Sequence, residues 1–211
     1  MQKIKNIIFD YGNVIFEIDF QRTQDALLQL GITNSTEFFA HKSHHDLFND
    51  FETAAITPAE FRSGIREAAN NNELTDEEID AAWNSLLIGV PPGIHEVLLT
   101  VKQKYRTFLL SNNNETHYNY IVEYLKREFN MDDNSGLFER AYYSQQMFLR
   151  KPNVEIFEQV IKENNLDPGE TLFIDDSPQH IEGAKLAGLH TLLMTKHPKY
   201  LEQVLIEHQI L

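Results

Sequence analysis

Four short polar groups, each placed at the end of an apolar run or ahead of a helical one, are the residues of this chain that could do chemistry. Asp10 follows Ile7-Ile8-Phe9, Ser111-Asn112 follow Phe108-Leu109-Leu110, Asp175-Asp176 follow Leu172-Phe173-Ile174, and Lys151-Pro152 precede a helical pattern. A carboxylate can attack an electrophile and be regenerated by water, which splits one hard step into two. Adjacent carboxylates repel one another unless a cation sits among them, and a hard divalent ion bound by oxygens and waters is the expected partner. Magnesium fits that description. Taken singly, each group has an ordinary explanation: Asp10 as a turn former, Ser111 and its asparagines as a helix cap, Asp175-Asp176-Ser177-Pro178 as a helix start, Lys151 as a solvated cation. Brought to one place, they make a site for an anion and a metal.

Bringing them together requires a parallel sheet. Residues 4–9 form a short apolar run without alternation, rich in β-branched residues and stopped by Asp10 and Gly12, as expected of a buried strand. Similar runs recur at 107–110, 171–174 and 191–194, with a weaker one at 141–143, and helical patterns lie between them at 153–163 and 179–186, the last closed by Gly188. Strands alternating with helices predict an α/β, doubly wound (Rossmann-like) parallel sheet, in which ligands bind beyond the carboxyl ends of the strands. Asp10, Ser111 and Asp175 all fall at such ends.

Residues 16–90 break this rhythm, offering helices and no convincing buried strand. Segments 35–40, 58–69 and 75–87 carry apolar residues at helical spacing, and Thr57-Pro58 and Thr75-Asp76-Glu77-Glu78 read as helix starts. Pro91-Pro92-Gly93 then marks the return to the sheet. The expected organisation is a core of residues 1–15 and 91–211 with a helical insertion at 16–90. Trp83, Leu86 and Leu87 belong to the core of that insertion, and His41, His44 and His45 to its solvated face.

Composition excludes other classes. The 211 residues carry a formal charge of −14, which argues against nucleic acid as partner, because such binding rests on cations meeting phosphates. For an anionic ligand, that field must be overridden by a local metal, lysine or helix N-terminus. No apolar run approaches the roughly 20 residues of a membrane span, so no membrane partner is expected. There is no cysteine, hence no disulfide or thiolate chemistry. The opening run is too short for an export signal, which predicts a cytoplasmic protein; a monomer or weak dimer is expected.

The motifs Ile7-Ile8-Phe9-Asp10-Tyr11-Gly12-Asn13-Val14, Leu109-Leu110-Ser111-Asn112, Arg150-Lys151-Pro152 and Phe173-Ile174-Asp175-Asp176-Ser177 resemble, in order and spacing, those of the haloacid dehalogenase superfamily. The resemblance implies that Asp10 is nucleophile and metal ligand, with the Gly12 carbonyl and Asp176 as further ligands and Asp175 as an auxiliary one. It implies that the partner is a small phosphorylated metabolite, that Ser111 and Asn112 hold its phosphoryl group, that Lys151 neutralises that group, and that 16–90 is a helical cap. The departure is Gly12, where the family's phosphatases usually carry an aspartate as general acid and base, a role worth about 10²–10⁴-fold. A good leaving group, an acid from His41, His44, His45 or Asp46, or slow turnover would each account for it. The Asp-x-Gly-Asn-Val pattern is similar to a sugar-phosphatase branch that includes α-glucose-1-phosphate phosphatases. A haloalkanoate dehalogenase and a non-catalytic phosphosugar-binding protein are the alternatives.

Overall fold

The computed structural model describes residues 3–32 and 42–211, the side chains of 42–46 excepted. The helix expected at 35–40 and His41 lie outside the described residues, as do the side chains of His44, His45 and Asp46.

Five parallel strands form the central sheet: β1 (Asn6–Phe9), β4 (Arg106–Ser111), β5 (Arg140–Tyr143), β6 (Thr171–Asp175) and β7 (His190–Leu193), in the order β5-β4-β1-β6-β7. All four residues of β1 are buried, as a central strand covered on both faces demands. Its register pairs Phe9 with Leu109 of β4 and with Ile174 of β6, so Asp10, Ser111 and Asp175 lie at one edge of three neighbouring strands. The chain leaves β1 toward β4 on one side and returns to β6 on the other. This is the switch point where open α/β sheets bind ligands.

Helices cover both faces. One cluster packs Ile7, Phe9, Leu109 and Ile174 against α5 (Ile94–Lys102), α6 (Glu115–Phe129) and α10 (Leu201–Glu207). The other packs Ile8, Phe108, Leu110 and Phe173 against α8 (Val154–Glu163) and α9 (Pro178–Leu186), with the short α7 (Ser144–Met147) directly after β5. Helix α9 approaches the loop around Lys151 so closely that a Cβ on Gly183 would fall 2.1 Å from the Pro152 carbonyl oxygen. Only glycine allows that contact.

Between β1 and α5 the chain builds α1 (Phe20–Gln29), α2 (Lys42–Glu52), α3 (Pro58–Ala69) and α4 (Asp76–Asn84) around a core of their own, including Leu27, Phe51, Phe61, Ile65, Ile79 and Trp83. Thr57 and Thr75 each close a capping box, with Glu60 and Glu78. Two features differ from the sequence reading. The helix expected at 75–87 ends at Asn84, and Leu87 lies instead in β3 (Leu87–Gly89), paired antiparallel with β2 (Glu17–Ile18). The region read as strandless thus holds a small two-stranded ribbon joining the helices to the sheet, whose strands are too short for any periodicity to reveal.

Candidate active site

At the mouth of the sheet a single ammonium serves two carboxylates. Lys151 Nζ donates to Asp10 Oδ1 at 2.6 Å and to Asp175 Oδ2 at 2.7 Å, and Lys151 is fully buried. Its backbone is held by Asn112: Lys151 N donates to Asn112 Oδ1, and Asn112 Nδ2 donates to the Lys151 carbonyl, both at 2.9 Å. The loop after β4 thereby aims the lysine at the residue after β1. Asp175 also accepts from Ser177 N at 2.8 Å and pairs with His180 Nδ1 at 3.0 Å.

Asp176 completes the group, with one oxygen each of Asp10, Asp175 and Asp176 lying within 4.8 Å of one another. Burial, then Asp175, pushes the Asp10 carboxyl up to about 8 against the pull of Lys151. Burial, then Asp175, likewise raises Asp176, with the neighbouring Asn13 side chain pulling the other way. Burial would raise Asp175 too, but Lys151 and His180 hold it well below the usual carboxylate range. The reason is a count of charges: three ionised carboxylates around one ammonium would leave two negative charges in a desolvated place, so the cluster holds on to protons until a cation takes their place. Those two charges match one divalent cation, and oxygen donors suit a hard one.

The space beside Gly12 is partly taken by β2. A Cβ there would meet the terminal Cδ1 of Ile18 at 2.9 Å, so an acid side chain at this position would require the Ile18 side chain to turn aside. The turn from Asp10 is closed by Ile15 N and Phe16 N donating to the Tyr11 carbonyl and by Asn13 in a left-handed conformation, φ 52°.

Above this edge lies a cavity of about 290 Å³, lined from the sheet by Gly12, Ser111 and Asn112 and from the helices by Phe48, Glu52 and Trp83. It lies at the small end of ligand pockets, suiting a small metabolite. Trp83 stacks on Phe48 at 5.2 Å and on His117 at 5.0 Å, so neighbouring rings occupy the faces a sugar would need. His117 lines the cavity but is committed. Its Nε2–H donates to the Trp83 carbonyl at 3.1 Å and its Nδ1 accepts from Asn114 Nδ2 at 3.0 Å, which fixes a neutral tautomer. It has no proton free to replace the acid missing at Gly12.

Burial lowers His117 to about 4, against the Trp83 carbonyl that favours its charged form. A depressed histidine leaves the unfolded chain binding the extra proton, so its contribution is complete above the unfolded value of about 6.5 and is lost as pH falls toward 4. Because the ring is partly open to the cavity, about 1–3 kcal/mol is expected. Urea unfolding at pH 7.5 and 4.5 measures it: His117→Gln should lose less stability on acidification than the wild type by that amount, and equal losses would refute the assignment.

Sequence reasoning singled out Asp10, Gly12, Ser111, Asn112, Lys151, Asp175 and Asp176, and these converge on one edge of the sheet. It missed His180, His117 and Glu52, which follow no strand and fit no short motif; Arg150 stood in a quoted motif without a role. Across residues 4–188 the chain matches the model of haloacid dehalogenase-like hydrolases. The chain belongs to that family. Among haloacid dehalogenase-like hydrolases it is 30% identical over 191 residues to a D-ribitol-5-phosphate phosphatase of Bacteroides thetaiotaomicron, covering 89% of this chain and 90% of that one. It superposes on a family enzyme of the same organism, solved with magnesium and inorganic phosphate, with TM-score 0.80 and 36% identity over 90% of this chain and 93% of that one. A family hydrolase of Porphyromonas gingivalis gives TM-score 0.86 at 26% identity over 98% of both chains. Among the described residues, no helix is long and apolar enough to cross a membrane.

Proposed function

We propose that this hydrolase is a magnesium-dependent phosphatase of small sugar or polyol phosphates, acting through a phosphoryl group carried on Asp10. The observation that carries the reading is the buried Lys151 shared by Asp10 and Asp175 with Asp176 in reach, a desolvated site short of two positive charges. Asp10, Asp176 and the Gly12 carbonyl would hold magnesium, with Asp175 as an auxiliary group already fixed by Lys151, Ser177 and His180. When bound, magnesium supplies charge to offset the oxygens of the transferring group.

The protein's part is placement and electrostatics. An Asp10 carboxylate oxygen attacks phosphorus, the bond to the ester oxygen breaks, and the departing alkoxide takes its proton from water, since Gly12 supplies none. Water then attacks phosphorus, releasing inorganic phosphate and restoring Asp10. Ser111 Oγ hydrogen-bonds a phosphoryl oxygen and Lys151 neutralises the charge that builds up, while Asn112 acts through its hold on the Lys151 backbone. The helices over the sheet act as a cap, in a chain divided into a core of 1–15 and 91–211 and a cap of 16–90. The three-carboxylate cluster weighs against a haloalkanoate dehalogenase, which has no use for a divalent cation. The likeness to a ribitol phosphate phosphatase supports a polyhydroxylated substrate.

Phosphate release from a panel of sugar, polyol and aryl phosphates, with magnesium and then with chelator, tests the reading. Release is expected with magnesium and should fall to background with chelator, and a preference for anomeric phosphates would connect Gly12 to leaving-group quality. Release unchanged by chelator, or absent throughout, would refute it.

A further inference from the structure

Beside the carboxylate cluster the cavity has a second polar wall. Glu52, at the end of α2, pairs with Arg150, the neighbour of Lys151. Arg150 Nε donates to Glu52 Oε2 at 2.9 Å and Nη2 lies 2.8 Å from the same oxygen. Both residues line the cavity, and each side chain is about a quarter exposed, at 25% and 26%. Because both donors converge on one oxygen, Glu52 Oε1 and Arg150 Nη1 have no partner among the described residues.

Asn113, which also lines the cavity, is buried, and its Nδ2 is a buried donor with no partner among the described residues, while its Oδ1 accepts from Asn114 N at 2.8 Å. Ser144 Oγ holds the two sides together: it is 2.6 Å from the Glu52 carbonyl, 2.9 Å from the Asn113 carbonyl, and accepts from Asn113 N at 2.9 Å. Wall and phosphoryl site are therefore fixed to each other through Arg150-Lys151 and Asn112-Asn113.

A buried donor without a partner is destabilising and a partly exposed ion pair contributes little, so stability does not explain this arrangement. Recognition does. We propose that Glu52, with Arg150 and Asn113, determines specificity by reading the hydroxyls of an uncharged polyol tail and rejecting tails that carry a second carboxylate or phosphate; this rests on the phosphatase reading above.

The donor count decides between the two tails. The wall offers one anionic acceptor, Glu52 Oε1, and two donors, Arg150 Nη1 and Asn113 Nδ2. A hydroxyl both donates and accepts, so successive hydroxyls can satisfy all three. The carboxylate or second phosphate of an anionic tail only accepts, and it meets a cation already neutralised by Glu52 and a carboxylate that repels it. Glu52→Gln removes the repelling charge, leaves Arg150 uncompensated, and should turn the wall into an anion site.

The test compares kcat/KM for a pentitol phosphate and for 3-phosphoglycerate, in magnesium, between wild type and Glu52→Gln, with an activated aryl phosphate as a third substrate. The wild type is expected to prefer the pentitol phosphate, and Glu52→Gln to shift the preference by roughly tenfold or more toward phosphoglycerate, chiefly through KM. A pair that only fastens helix to loop would lower both substrates together; that result, or a wild type that takes both equally, overturns the inference and leaves the phosphatase reading intact. Absence of phosphate release from all three substrates would overturn that reading and the inference with it. Should Glu52→Gln fail to fold, Asn113→Ala decides: the pentitol KM is expected to rise several-fold with phosphoglycerate unchanged, and a parallel rise for both counts against the proposal.

Discussion

Asp10→Asn is expected to reduce phosphate release by at least about 10⁴-fold while leaving the fold intact, the largest effect of any single change in this chain. The substitution is nearly isosteric, but an amide neither attacks phosphorus nor forms the acyl phosphate through which the reaction divides. Stability should respond in the opposite sense. Asp10 is one of three carboxylates around one ammonium, and Lys151 keeps Asp175 at 2.7 Å when Asp10 becomes neutral. The melting temperature without metal should therefore not fall. Magnesium should raise the wild-type melting temperature, since a ligand of the folded state stabilises by mass action, and should raise the variant's less. Measuring phosphate release and melting in parallel separates the loss of a nucleophile from damage to the fold. Retention of even one per cent of wild-type turnover would rule out Asp10 as the group that carries the phosphoryl.

Lys151→Gln should strike activity and stability together. Lys151 is fully buried, with Nζ 2.6 and 2.7 Å from two carboxylates and 5.5 Å from the centroid of the Phe173 ring. Removing one partner of a buried ion pair leaves uncompensated charge, at a cost of about 3–5 kcal/mol, and here two carboxylates are left facing each other. Loss of the cation from the phosphoryl site adds a fall in kcat of about 10²–10³-fold. Urea unfolding in chelator and initial rates in saturating magnesium read the two effects separately. The destabilisation should shrink in magnesium, because a divalent ion restores part of the missing charge, whereas the kinetic defect should persist. Lys151→Arg is not expected to rescue either property, since the planar guanidinium is larger than the ammonium and the Lys151 side chain is fully enclosed. A stable, active Lys151→Gln protein would show the cluster to be neutralised by something other than this lysine.

The strands that bear the site were legible because they are central and parallel. Burial on both faces forces unbroken apolar runs, and the first polar residue after each run marks where the strand reaches solvent or a ligand. Asp10, Ser111 and Asp175 announce themselves in that way. Lys151 was legible only through its motif, since nothing local distinguishes a lysine before a helix from a solvated one. Glu52 had no signal at all: it ends an amphipathic helix, an ordinary place for a charge, and its meaning comes from Arg150, 98 residues away. The ribbon of β2 and β3 escaped because two or three residues cannot display a period, and Leu87 extended the helical spacing of α4 by coincidence.

By itself the sequence determined the chemistry available to this protein: a carboxylate after the first strand, a hydroxyl after the apolar run at 107–110, a paired acid after the run at 171–174, and no side chain at position 12. Those are properties of residue type and of strand ends, and both are local. Only the tertiary structure decided how the charges balance, because sharing one ammonium between Asp10 and Asp175 depends on β1 lying between β4 and β6. The packing of Ile18 against Gly12, the committed hydrogen bonds of His117 and the Glu52–Arg150 wall are likewise products of distance between segments far apart in the chain. Local sequence selects strands and helices through burial period and capping, but desolvation, charge compensation and the shape of a cavity arise only when those elements pack.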